Sequence, residues 1–253
     1  MTLGSFDRAA SYYDATRGLP ADTSRQVTDV LLGELGGRGR CLEFGVGTGR
    51  IALPLAERGL DVLGTDIAAA MLARLVDNAG GRSPFPLVRA DATAMPFADA
   101  AFGGVFACHV LHLIPESGRA VDEAWRVLRP GGCLLLDFGG GAPAWWWEDT
   151  GRIFRAHGIV RVRPGDTGAA EISAHLGVPA RALPGVPVVF ERTLAQDLAD
   201  WEAQIHSWTW PFAPEQMQEA CAAIRAWAAD RDHPLDEVAR IDHVIRWWAF
   251  DKP

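Results

Sequence analysis

"CLEFGVGTGR", residues 41–50, sets three alternate glycines straight behind a short apolar run. Gly45, Gly47 and Gly49 each cost backbone entropy, so the chain must turn tightly there or let something approach closely. Cys41-Leu42-Glu43-Phe44 reads as a short buried strand, and Arg50 to Arg58 carries apolar residues at helical spacing. Strand, glycine turn and helix together form the usual setting for a nucleotide-like ligand.

On either side of this stretch the pattern repeats. Thr23 or Ser24 caps a helix running to about Leu35, ended by Gly36-Gly37. Asp61 to Asp66 is a second strand, Ala68 to Asn78 a helix, Pro86 to Asp91 a third strand and Gly104 to about His109 a fourth. Glu116 to Leu128 is an amphipathic helix stopped by Pro130-Gly131-Gly132, and Cys133 to Phe138 is a fifth strand. This alternation predicts a parallel, doubly wound α/β sheet.

The rhythm changes after Gly139-Gly140-Gly141, read as an exit into an inserted region. Ala144 to Ala156 is helical, and Gly158 to Pro187 is rich in Gly, Pro and Arg. Val186 to Arg192 is a strand, followed by helices near Leu194–His206 and Pro214–Ala229. Ile241 to Phe250 is a last strand, expected antiparallel at the sheet edge.

Composition narrows the function classes. The 253 residues are 49% hydrophobic and 22% charged, enough for one large domain or an elaborated core. No apolar run reaches the roughly 18 residues that span a bilayer, and no secretory signal is read, so a cytoplasmic location without membrane partners is expected. Cys41, Cys108, Cys133 and Cys221 lack CxxC spacing, which suits reduced buried thiols better than disulfides or a metal site. The net charge is −8 with no basic stripe, against nucleic acid as a partner.

Three ligands compete for the glycine turn. A P-loop needs GxxxxGK[ST], and no lysine stands there. A dinucleotide turn needs GxGxxG, whereas the pattern from Gly45 is GxGxG with Arg50 sixth. Glu43, just before the turn, repels phosphate but attracts an ammonium. Asp66 ends the second strand, where a carboxylate accepts from both ribose hydroxyls. Asp91 ends the third and can accept from an adenine amine, with Ala92 offering its N–H to the ring. Those conditions fit an amino-acid-bearing nucleoside.

EFGVGTGR, VLGTDIAAAML, VRADATAMPF and RVLRPGG resemble the successive motifs of class I S-adenosylmethionine-dependent methyltransferases, closest to the small-molecule branch that includes quinone-biosynthesis enzymes. The resemblance runs from residue 1 to about 140, and the arm FDRAASYYDATR is similar to that branch's N-terminal segment. It implies a Rossmann-like seven-stranded sheet of order 3-2-1-4-5-7-6 with strand 7 antiparallel. It also implies that Gly45, Gly47 and Gly49 form the cofactor turn and Glu43 holds the methionine amine. Asp66 then takes the ribose, Ile67 and Met71 pack on adenine, and Asp91 with Ala92 reads its edge. His109 offers its backbone carbonyl to the amine, and Tyr13 and Arg17 close over the carboxylate. One departure stands out: the family usually carries Asp after the phenylalanine at Phe102, and this chain has Gly103.

The expected organisation is an arm over the cofactor site (1–21), a cofactor-binding core (22–140), an inserted helical lid and substrate region (141–185) and a tryptophan-rich part completing the sheet (186–253). The expected function is methyl transfer from S-adenosylmethionine to a small, apolar or aromatic acceptor. The alternative is a silent cofactor-binding or scaffolding protein; a homodimer is left open. His112 is the preferred base, Trp145, Trp146 and Trp147 are candidate acceptor contacts, and Arg152, Arg155, Arg161 and Arg163 read as a solvated face.

Overall fold

The computed structural model describes residues 4–139, 144–160 and 168–253. Gly140, Gly141, Arg161 and Arg163 lie outside them. The chain begins with three helices, α1 (Gly4–Ala9), α2 (Tyr13–Arg17) and α3 (Ala21–Leu35). β1 (Cys41–Phe44), α4 (Ala52–Glu57), β2 (Val62–Asp66), α5 (Ala69–Asn78) and β3 (Leu87–Arg89) follow as alternating strand and helix. β4 (Phe102–Cys108), a one-turn 3₁₀ helix at Leu111–Leu113, α6 (Ser117–Val127) and β5 (Leu128–Asp137) complete the parallel run.

β1 is buried along its whole length, as a strand covered on both faces must be. Leu42 and Phe44 of β1, Val105 of β4, Leu134 and Leu136 of β5 and Val121 and Ala124 of α6 share one core. The expected helix stop at Pro130-Gly131-Gly132 is instead an irregularity inside β5. Leu128 opposes Phe102, the register slips, and Cys133 opposes Gly104. Gly103 lies on β4 at that slip. A Cβ there would fall 1.7 Å from the Arg38 carbonyl oxygen, so this chain cannot carry the aspartate of the family pattern without moving backbone.

Beyond β5 come α7 (Trp147–Ala156), α8 (Ala169–Leu176), β6 (Ala180–Ala182), β7 (Val186–Thr193), α9 (Leu194–Glu202), a 3₁₀ turn at Ser207–Thr209, α10 (Pro214–Asp230), β8 (Val238–Ile245) and β9 (Trp247–Asp251). The large sheet runs β3-β2-β1-β4-β5-β9-β6, with β9 antiparallel to both neighbours. Counting only its own strands, that is the expected order 3-2-1-4-5-7-6 with the seventh antiparallel. Two expectations are corrected. The Ile241–Phe250 stretch is two strands, of which β9 lies inside the sheet rather than at its edge. The strand at Val186 pairs only with β8, in a separate two-stranded sheet.

The edge belongs to β6, three residues long. Arg181 on it forms a bidentate pair with Glu34, both contacts 2.8 Å, and reaches Asp251. A short, charged edge strand resists pairing with another chain.

The chain divides into two compact units, Met1–Gly139 with Pro164–Val186 and Ile245–Pro253, and Gly140–Arg163 with Pro187–Val244. The segment carrying α8 and β6 thus belongs with the large sheet. The second unit has its own core, in which Trp146, Phe154, Leu198, Trp201, Met217 and Ile224 are buried together.

Gly103→Ala is expected to lower the unfolding free energy by ~1–3 kcal/mol, the usual cost of overpacking. Urea titration checks this; an unchanged midpoint would show that the Arg38 carbonyl yields freely.

Candidate active site

The glycine turn leaves β1 with all three glycines at positive φ: 66° at Gly45, 55° at Gly47 and 86° at Gly49. A side chain at Gly45 is barred twice, by that backbone and by Val110, whose Cγ2 would lie 2.4 Å from a Cβ.

Asp66, at the end of β2, locks the turn. One carboxylate oxygen accepts the Gly47 N–H at 2.9 Å and the other the Ala68 N–H at 2.9 Å. Burial raises its pKa, and the amide hydrogen bonds oppose that rise. A carboxylate has about four acceptor sites, so the backbone donors Gly47, Ala68 and Ile67 leave it some capacity for a hydroxyl. Met71 is buried in the first turn of α5, and Ile67 beside it is half-buried. Asp91 is exposed two residues beyond β3, where one oxygen accepts from the Thr93 N–H and hydroxyl at 2.8 Å each. Ala92 is half-buried.

Glu43 is the chemically unusual residue. It is almost wholly buried on β1, and its Oε2 has no hydrogen-bond partner. Burial pushes its pKa well above the ordinary carboxylate value, more than the nearby Arg50 charge and Ala52 amide bring it down. Burial thus favours the protonated form of this carboxyl. It faces a cavity of about 20 Å³ whose walls include Gly45, Gly47, Thr48 and Tyr13.

The arm sits on this floor. Asp14 of α2 accepts from Arg74 and Asn78 of α5, each at 3.0 Å, and Asp7 accepts the Ala70 N–H at 2.9 Å. Arg50 donates to the Arg17 carbonyl at 2.9 Å, and burial keeps the Tyr13 phenol protonated. A larger cavity of about 210 Å³ lies between the arm and α4. Tyr13, Thr48 and Arg50 line both cavities.

Sequence reasoning missed the other polar cluster. Cys108, Asp137 and Trp247 stand opposite one another across β4, β5 and β9. The Cys108 thiol lies 3.5 Å from Asp137 Oδ2, and Arg50 donates to the sulfur at 3.1 Å. Burial raises the Cys108 pKa far above that of a free thiol, so it is no nucleophile. His109 follows β4 at φ 53°, with Nε2 3.4 Å from Asp137 Oδ2. Sulfur, imidazole and carboxylate here form a donor set of the zinc kind, all within 4.8 Å. The Arg50 guanidinium already supplies positive charge beside the sulfur and opposes a second cation. The available signal was Asp137 itself, one more carboxylate ending a strand.

His112 lies half-buried in the 3₁₀ turn. The three consecutive tryptophans part company within the second unit. Trp146 is fully buried, its indole N–H donated to Asp197 at 2.9 Å, so it serves the core. Trp145 and Trp147 are 42% and 38% exposed, and Trp145 packs against Trp227 and His233.

Comparison with known proteins points to methyltransferases. The family described as a methyltransferase domain matches residues 42–136. A demethylmenaquinone methyltransferase of Beutenbergia cavernae is 34% identical over 136 residues, 53% of this chain and 55% of the relative. A phosphatidylethanolamine N-methyltransferase of Cereibacter sphaeroides is 37% identical over 127 residues, 49% and 61% of the two chains. The chain spans about half the length of these curated relatives. A solved Bacillus halodurans protein is similar in fold, with TM-score 0.61 at 19% identity over 90% of this chain and 99% of its own.

Glu43→Gln separates stability from binding. A folded-state pKa above the unfolded one means that the native protein holds the extra proton, so stability is greatest at low pH and falls as pH rises toward the folded value. The amide removes that loss: the melting temperature at pH 8 is expected to rise while affinity for S-adenosylmethionine falls. A lower melting temperature at pH 8 would show that Glu43 is ionised and paired in the free protein. Over residues 42–136 the chain is similar to the family described as a methyltransferase domain.

Proposed function

We propose that the protein transfers the methyl group of S-adenosylmethionine to a small, apolar or aromatic acceptor. The observation that carries this reading is the unpartnered Glu43 oxygen beneath a triple-glycine turn, one strand from a partly used Asp66 carboxylate. A buried carboxyl oxygen without a partner is costly, and an ammonium is a ligand group that would satisfy and ionise it. The residues therefore fit the cofactor: Glu43 would hold its amine, Asp66 its ribose hydroxyls, and Met71, Ile67, Asp91 and Ala92 its adenine.

The cofactor supplies a methyl already activated on a sulfonium, so the protein's task is to hold two molecules in line and exclude water. The narrow space before Glu43 means that Tyr13 and the arm must shift for the cofactor to enter, and their return would cover it. Arg17 would then meet the carboxylate. Proton removal would fall to His112, in the turn after β4. Trp145 and Trp147 are candidate contacts for a flat acceptor. The two named relatives point to different acceptors, a quinone precursor and a lipid amine, so the class stays at small molecule. No helix among the described residues is long and apolar enough to cross a membrane.

Calorimetry with S-adenosylhomocysteine and with NAD tests the reading. Binding of the first and not the second is expected, with Asp66→Ala weakening it about 10- to 100-fold, as loss of charged hydrogen bonds does. Heat with NAD alone would refute the proposal.

A further inference from the structure

We propose that the protein associates as a two-fold dimer through the outer edge of β8, which pairs antiparallel with β8 of a second copy. The surface lies in the second unit, and nothing in the inference depends on methyl transfer.

The small sheet has two strands among the described residues, so β7 and β8 each keep one edge that no strand covers. In the large sheet the edge strand β6 is three residues long and carries Arg181 in ion pairs. β8 is eight residues long, VARIDHVI from Val238 to Ile245, with no proline, glycine or lysine. An edge of that length without such interruptions is a ready template for another strand. β7 differs, because Pro187 near its start has no N–H to donate.

Alternation divides β8 into two faces. Ala239 is buried in the core of the second unit and Ile241 packs against that core. The His243 ring stacks on Phe190 of β7, their centroids 6.4 Å apart. Val238, Arg240, Asp242 and Val244 point the other way and are all exposed, the two valines by 59% and 45%.

That outward face reads Val-Arg-Asp-Val, and it is its own complement. With Ile241 on the two-fold axis, Val238 opposes the partner's Val244 and Arg240 opposes the partner's Asp242. Symmetry repeats both pairs, so the contact is isologous. Opposed residues share a face, which keeps both core-facing sides on one side of the joined sheet. Sliding one strand by two residues sets Arg240 against Arg240 or Asp242 against Asp242. Sliding it by one turns a core face against a solvent face. The charges therefore specify one register. β7 has no such match: Glu191 and Arg192 are adjacent, hence on opposite faces, and no two-fold register opposes them.

In the single chain Arg240 donates to Asp242 from two nitrogens, each at 3.2 Å, with side chains 66% and 73% exposed. So exposed an ion pair is worth little, and exchanging it for the partner's costs little. Association adds the ladder hydrogen bonds and the two valine pairs.

Sedimentation velocity of the full chain at about 1 to 100 μM tests the proposal. A concentration-dependent monomer–dimer equilibrium is expected. Arg240→Asp and Asp242→Arg each oppose like charges twice, so each should weaken the dimer at least about 10-fold. Both positions are exposed, and circular dichroism of the dilute variants should show the native fold. Mixed in equal amounts, the two variants should recover a dimer: an acidic strand then faces a basic one, although neither chain keeps its own ion pair. Cysteines check the register. Val238→Cys mixed with Val244→Cys should form an intermolecular disulfide that neither variant forms alone. A monomer throughout the range, a dimer indifferent to both charge variants, no recovery on mixing, or a disulfide formed by one cysteine variant alone would each overturn the proposal.

Discussion

The hydrogen bonds from the Gly47 and Ala68 amides to Asp66 are the joint on which the site depends. They tie the end of β2 to the turn after β1, so the two strands present their last side chains at a fixed spacing. Without them the glycine turn would be three unrestrained residues with a wide choice of conformation. The same carboxylate that shapes the turn is the one proposed to take the ribose hydroxyls, so that architecture and recognition would use one group.

Glu43 shows the opposite arrangement. The Glu43 carboxyl meets the Ala52 amide at the start of α4, but its free oxygen, at a wholly buried β1 position, is a standing cost. Natural proteins carry such costs chiefly at functional sites, where a ligand removes them. The neighbouring polar groups, Arg50, Cys108, His109 and Asp137, are each held by another member of the cluster or by backbone. Against that background the Glu43 oxygen and the Thr48 hydroxyl of the same cavity wall stand unsatisfied, and this is where the proposed cofactor amine would find its partner.

Much of the first 139 residues was legible because glycine, apolar period and strand-end carboxylates agree there. Glu43, Asp66 and the glycines sit where the pattern put them. The edge strand β6 was invisible: three residues, Ala-Arg-Ala, carry no alternation, and only their pairing with β9 makes them a strand. The split between β8 and β9 at Arg246 was equally hidden, because it changes partners rather than composition. Trp145, Trp146 and Trp147 look alike in sequence, yet the turn that leads into α7 sends the middle one into the core. Cys108, His109 and Asp137 come together only through register across β4 and β5, which no single segment encodes.

The most direct measurement is the proton count on binding S-adenosylhomocysteine, taken by calorimetry at pH 7 in two buffers of different ionisation enthalpy. A neutral Glu43 that ionises against the incoming ammonium predicts release of about one proton by the native protein and none by the Glu43→Gln variant. Binding with no proton released by the native protein would mean the acid was already charged, and the account of this site would fail.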